Sequence, residues 1–148
     1  VKSKLLGIAV KPQRLQPMQL LSSVILSVEH GITGDSRGKP GPRQVTLLSQ
    51  VAWQAACDQL GVILPWTERR ANLLVEDLPL VGAKGSRIVL GDAILEITGE
   101  TDPCSRMKAV HEGLFDVLSR DWRGGVTCRV LQGGLLALDM EVELSINN

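Results

Sequence analysis

The stretch Arg87–Met107, RIVLGDAILEITGETDPCSRM, decides how this chain is to be read. Its first half holds two apolar runs, Arg87–Leu90 and Ala93–Thr98, on either side of Gly91-Asp92. Turn residues of this kind between strand-forming runs predict a tight antiparallel hairpin. The second half leaves the strand through Gly99 and arrives at Asp102-Pro103-Cys104-Ser105-Arg106. Gly99 and Pro103 punctuate the backbone, so Cys104 is expected on a loop or at the start of a helix. Downstream, Met107, Val110, Leu114, Phe115, Val117, Leu118 and Trp122 recur at largely helical spacing, which predicts a helix running to about Arg120.

With Asp102 as cap and Pro103 in the first turn, the Cys104 sulfur would lie near backbone N–H groups that have no helical partner. Those groups, with Arg106 and Lys108, favour a thiolate, whereas the Asp102 carboxylate opposes it. Two readings therefore stand side by side: a reactive or metal-binding thiolate, and a half-buried cysteine that fills space.

Working outward, Val126–Leu131 reads as a strand that turns at Gln132-Gly133-Gly134. Leu136–Leu144 alternates Leu138, Met140, Val142 and Leu144 with Asp139, Glu141 and Glu143, the pattern of one half-buried antiparallel strand. Toward the N-terminus, Thr67–Glu76 (TERRANLLVE) is charged first and strand-like after. Ser49 is a good N-cap for a helix with an apolar stripe of Val51, Ala52, Ala55, Ala56 and Leu60, ended by Gly61. Gln44–Leu48, Leu20–Val28 and Leu5–Val10 read as further strands. Gly31–Arg43 (GITGDSRGKPGPR) is the most loop-like part of the chain, with four glycines, two prolines and three basic residues. It carries neither the P-loop nor the dinucleotide fingerprint. Short strands joined by glycine turns, with two helices and no βαβ rhythm, predict a mainly β fold. The expected form is a mixed, largely antiparallel β-barrel with flanking helices, as one domain over residues 1–148.

Composition removes several functions. Sixteen basic and sixteen acidic residues cancel, and Phe115 with three tryptophans are the whole aromatic complement, so nucleic acid is not an expected partner. No apolar run is long enough to span a bilayer as a helix, and no membrane association is expected. Cys57, Cys104 and Cys128 are widely spaced, giving neither a disulfide framework nor a zinc site, and a reducing cytoplasmic setting follows as the simpler expectation. His30 and His111 each stand alone, which argues against a histidine metal site.

Taken in order, several segments resemble the MOSC domain, the module at the C-terminus of molybdenum cofactor sulfurases. They are Gly31-Ile32-Thr33-Gly34-Asp35, Arg43-Gln44-Val45, Glu68–Val75, Ile88–Asp92, Asp102–Met107 and Arg123-Gly124-Gly125-Val126. The resemblance spans essentially the whole chain and implies a strand-rich barrel. It maps the family's signature cysteine to Cys104, which would carry sulfur or ligate molybdenum. Arg70-Ala71-Asn72 matches an Arg-x-Asn segment that helps hold the cofactor in amidoxime-reducing relatives. It further implies that Gly34, Asp35, Arg43 and Arg106 contribute to a molybdenum cofactor (molybdopterin) site. The chemistry would be reduction of N-hydroxylated small molecules with an electron-donor protein, or persulfide transfer from a sulfur-donor protein. A MOSC-fold binding module without chemistry is the third possibility, because Leu138-Asp139 stands where the family commonly has Gly-Asp. Pyridoxal phosphate belongs to the desulfurase half of larger relatives, and neither it nor flavin nor zinc is expected here. On an extended strand, Arg70 and Asn72 would share one face and Arg69 would point away. Gly31–Arg43 is expected to wall a pocket that Cys104 also lines. Mass-mapped alkylation of the native protein should label Cys104 first; earlier labelling of Cys57 or Cys128 would contradict the assignment.

Overall fold

The computed structural model describes residues 1–101 and 106–146. In chain order the strands are β1 (Lys2–Val10), β2 (Gln19–Leu21), β3 (Ser23–Ser27), β4 (Gly31–Ile32), β5 (Val45–Ser49) and β6 (Leu73–Val75), then β7 (Arg87–Leu90), β8 (Ala93–Glu100), β9 (Val126–Gln132), β10 (Gly134–Ala137) and β11 (Glu141–Ser145). Helix α1 (Gln50–Leu60) follows β5, a 3-10 turn (Trp66–Arg69) precedes β6, and α2 (Arg106–Val110) and α3 (Leu114–Leu118) lie between β8 and β9.

Hydrogen bonding runs β11-β7-β8-β9-β5-β6-β1, and β1 pairs again with β11, so seven strands close into a barrel. The β5–β6 pair is parallel and the other barrel pairs are antiparallel. Closure leaves these strands without a free edge. Strand β2 adds to β1, and β10, β3 and β4 form a small separate sheet. This is the mainly β, mixed barrel with flanking helices that the strand pattern predicts.

Alternation along β5 and β6 shows why the helices pack where they do. Val45, Leu47, Leu73 and Val75 enter the barrel core, while Leu48 and Leu74 join a second cluster with Trp53, Ala56, Cys57, Met107, Leu114 and Leu118. A parallel pair apolar on both faces has to be covered on its outer side, and α1, α2 and α3 cover it. Ser49 caps α1 as expected, its hydroxyl accepting from the Ala52 N–H at 3.3 Å, and Gly61 ends it at φ 67°.

Four local expectations need correction. The buried face of α1 is Trp53, Ala56 and Cys57, and Val51 is 52% exposed. Trp53 sets that face, because its indole N–H reaches the Leu64 carbonyl at 2.9 Å while its ring is buried. The helix expected up to Arg120 is two short ones, divided where Gly113 takes φ 87°. Leu20–Val28 divides into β2 and β3 at Ser22. Leu136–Leu144 also divides: β10 ends at Ala137, and Asp139 takes φ 70° in the turn before β11. There the Leu138 N–H donates to Ser22 and the Asp139 N–H to Leu5, carrying the chain from the small sheet into the barrel. Aspartate tolerates the left-handed conformation better than most residues. The Gly91-Asp92 hairpin stands as read, with Leu90 opposite Ala93.

Gly7 sits at a register shift in β1, and a Cβ placed there would lie 2.6 Å from Cζ2 of Trp66. The indole is packed directly against bare backbone. Gly7→Ala should therefore destabilise the protein by about 1–3 kcal/mol through overpacking, read as a lower midpoint in urea unfolding.

Candidate functional site

At the end of β1 the chain delivers Lys11 to one mouth of the barrel. Its main-chain N–H donates to Asp35 Oδ1 at 2.9 Å, and its carbonyl accepts from the Ser36 N–H at 2.8 Å. Asp35 Oδ2 also accepts from the Arg37 N–H at 3.3 Å. The glycine-rich segment is thus fastened to β1 by one carboxylate. Gln44, buried, fastens the other end: its Nε2 donates to the Val28 and Gly38 carbonyls, and its Oε1 accepts from the Val130 N–H. Gly38 lies so close to the His30 carbonyl that a Cβ would sit 1.7 Å from the oxygen. The loop is therefore one fixed backbone course, not a loose connector.

The 3-10 turn supplies the facing wall. It ends on Arg70, which takes φ 64°, a left-handed conformation that costs a non-glycine residue about 1–2 kcal/mol. Strain of this kind gathers at functional sites. The preceding residue, Arg69, is buried: its Nε donates to the Gly124 carbonyl and its Nη2 to the Thr101 carbonyl, both at 3.1 Å. Thr101 N–H in turn donates to the Gly125 carbonyl at 2.9 Å. One guanidinium therefore ties the end of β8 to the start of β9. A Cβ on Gly124 would meet the Thr101 oxygen at 2.6 Å, so glycine is needed for the approach.

Asn72 is buried and its amide is committed to the fold. Oδ1 accepts from the Thr46 N–H at 3.0 Å and Nδ2 donates to the Ala9 carbonyl at 3.2 Å, extending the β5–β6–β1 pairing by one residue. The expected geometry of Arg70 and Asn72 on one strand face is therefore corrected. Arg70 lies in a turn, Asn72 braces β1 against β5, and Arg69 faces inward instead of away.

These elements enclose a pocket of about 370 Å³ lined by Lys11, Arg37, Arg43, Arg69, Arg70 and Arg106, with Asp35 as the carboxylate among its described lining residues. Asn72, Thr46, Thr101 and Met107 also line it. The size suits a small-molecule site, and the excess of guanidinium groups suits an oxyanion. Among the residues named from sequence, Arg43, Arg70, Asn72, Asp35 and Arg106 come together here. Gly34 does not line it, and turns at φ 88° in a neighbouring depression with Glu29 and His30. Leu138 and Asp139 lie elsewhere, at the β10–β11 turn. Lys11, Arg37, Arg69 and Thr101 were not anticipated; Lys11 has only a strand on one side and a proline on the other to mark it.

Lys11 is 3% exposed. Its ammonium is held below the usual lysine value, first by burial and then by the charges of Arg70, Arg37, Arg106 and Arg14. Cys104, with the rest of 102–105, lies outside the described residues; Thr101 and Arg106 on either side of that segment both line the pocket. Cys57 and Cys128 are buried. Burial raises the Cys57 thiol above its ordinary value and pushes Cys128 up to about 12. Among the described residues no group of His, Cys, Asp and Glu could hold a metal ion, and no helix is long and apolar enough to cross a membrane.

Fold and site together define a small closed β-barrel with a cation-lined pocket among its described residues. The sequence profile of the MOSC domain matches residues 34–143, and the chain belongs to the MOSC domain family. It is similar in fold to the crystal structure of the YuaD protein from Bacillus subtilis, with a TM-score of 0.82 at 22% identity over 100% of this chain and 98% of that one. It is also similar to YiiM from Escherichia coli, with a TM-score of 0.71 at 14% identity over 98% of this chain and 71% of that one. YiiM from Geobacillus stearothermophilus gives a TM-score of 0.68 at 14% identity over 99% and 73%. Among curated proteins no match was found.

Arg69 should prove structural on mutation. Arg69→Ala leaves the Gly124 and Thr101 carbonyls without their charged donor and should cost about 1.5–3 kcal/mol of stability. The loss should appear as a lower urea midpoint; an unchanged midpoint would contradict the tie between β8 and β9.

Proposed function

We propose that this MOSC domain holds the molybdenum cofactor by its phosphate in the cation-lined pocket, with Cys104 as the thiolate directed to the metal. The observation that carries the reading is the lining itself: Lys11 and five arginines around one cavity, with Thr101 and Arg106 bracketing the cysteine segment. A phosphate needs a fork of fixed donors, and guanidinium groups supply it bidentately. A soft metal needs a thiolate, and Cys57 and Cys128 are too deeply buried to serve. The family is associated with this cofactor, and the donor set fits an anionic group of its kind. When bound, the cofactor supplies two-electron chemistry of the sort that reduces N–OH to N–H and water, with electrons from a donor protein. Within the chain, Arg69 and Gln44 keep the two walls at fixed separation, Asp35 fixes the loop, and Arg70 and Arg106 face the ligand.

Sulfur carriage is a second reading, favoured by the burial of Cys57 and Cys128. The Cys104 thiolate would attack the outer sulfur of a donor persulfide, forming the Cys104 persulfide and releasing the donor thiolate.

Protein purified from a cofactor-producing host should contain molybdenum. Cys104→Ser should lose it, and Arg70→Ala should bind the cofactor about 10–100-fold more weakly. A molybdenum-free protein that gains the mass of one sulfur atom at Cys104 from a cysteine desulfurase would overturn the first reading and support the second. Neither metal nor added sulfur would leave a binding module without chemistry.

A further inference from the structure

The stripe of Val51, Ala52 and Ala55, which the sequence marks as a core face, stays partly open because Trp53 turns α1 onto another face. It forms one side of a groove of about 230 Å³. Across from it lie Pro79, Leu80 and Val81, from the segment after β6, and Trp122, from the turn before β9. Val81, 64% exposed, and Val51 are large apolar side chains left to solvent there. The groove shares none of its described lining residues with the cation-lined pocket.

Its far wall is held in a disfavoured conformation. Asp121 takes φ 52° and Trp122 φ 57°, two successive left-handed residues with side chains. Strain of this kind persists only where the surroundings enforce it, and here Trp122 also packs on the barrel core. The charge at the groove is negative. Asp77, which accepts from the Ser49 hydroxyl at 3.4 Å, and Asp121 are exposed carboxylates. The Arg123 guanidinium is already engaged, its Nη1 donating to Gln59 at 2.7 Å and to the Val117 carbonyl at 3.3 Å. The start of α1 offers an anion little, since the Val51 N–H donates to the Glu76 carbonyl and the Ala52 N–H to Ser49. The main chain alongside is unpaired: among the described residues, the Pro79 carbonyl and the Val81 N–H make no hydrogen bond.

We propose that this groove docks a short extended segment of a partner protein, apolar at its centre and basic on either side. The apolar side chain enters between Ala52, Ala55 and Trp122, and the basic residues meet Asp77 and Asp121. The backbone of the segment supplies partners to Pro79 and Val81, as in recognition by strand addition. A second copy of this chain suits the groove less well, because a two-fold contact of groove on groove sets carboxylates against carboxylates. The inference is independent of the cofactor reading.

The probe is the acetylated and amidated pentapeptide Lys-Val-Leu-Val-Lys, titrated to millimolar concentration while the amide and indole N–H shifts of the full chain are followed. Binding should saturate, with the largest shifts at Val51, Val81 and Trp122. Glutamine in place of both lysines should weaken it about tenfold at low salt, the scale of two exposed ion pairs. N-methylation of the central leucine should also weaken it. The double variant Asp77→Asn with Asp121→Asn keeps shape and tolerates the left-handed backbone. It should bind the lysine and glutamine peptides equally. Val81→Lys, at an exposed position, should lose the lysine peptide while keeping the native urea midpoint. No saturable shift at the groove, shifts centred elsewhere, or a lysine preference that survives in the double variant would overturn the inference. Shifts at Val51 and Val81 on concentrating the protein alone would give the groove to a second copy and overturn it as well.

Discussion

The buried guanidinium of Arg69 is the constraint on which the site depends. It bonds two carbonyls that flank different strands, Thr101 just after β8 and Gly124 just before β9. Between those carbonyls the chain makes its long excursion through the cysteine segment, α2 and α3. An arginine can do this because its donors diverge in a rigid plane and its charge is never lost. The bare Cα of Gly124 allows the approach. Fixing both ends of the excursion to one side chain sets where Arg106 returns to the pocket wall.

The same economy governs the opposite wall. Gln44 uses both ends of its amide, and Asn72 both ends of its own, to join segments that are distant in sequence. With these side chains consumed by the scaffold, the pocket is left mainly to cations. Crowding them is unfavourable without an anion, and burial deepens the cost. The barrel beneath tolerates it because its interior is apolar throughout and its strands have no open edge to unravel.

Most of the barrel was legible because its signals are local. Gly91-Asp92 specifies its hairpin, Ser49 and Gly61 bound α1, and the alternation in β7 and β8 fixes which residues face inward. The parts that were misread are those decided at a distance. Leu136–Leu144 keeps its alternation across a break, because the turn at Asp139 is set by bonds to Leu5 and Ser22. The face of α1 is chosen by the indole of Trp53, not by the longest run of alanine and valine. Arg69 and Arg70 are adjacent and chemically identical, and a left-handed residue after a 3-10 turn exchanges the directions that a strand would give them. Lys11 is a basic residue between a strand and a proline, and its surroundings come from the loop, the 3-10 turn and α2. A cation cluster assembled from separate segments leaves no spacing to recognise.

The pairing of β1 with β11 closes the barrel between the first and last strands of the described chain, setting Lys2 opposite Glu143. This is the most non-local pairing the topology contains, and loop-closure entropy makes such contacts late and slow to form. During synthesis β1 can pair with β2 and β6 well before β11 leaves the ribosome. Until then its outer half presents an open edge, which any extended neighbour could occupy. Lysines at positions 2 and 4 lie on that waiting edge. When β11 arrives, Lys2 comes opposite Glu143 and Lys4 opposite Glu141, and opposite charges facing across an antiparallel pair favour that register.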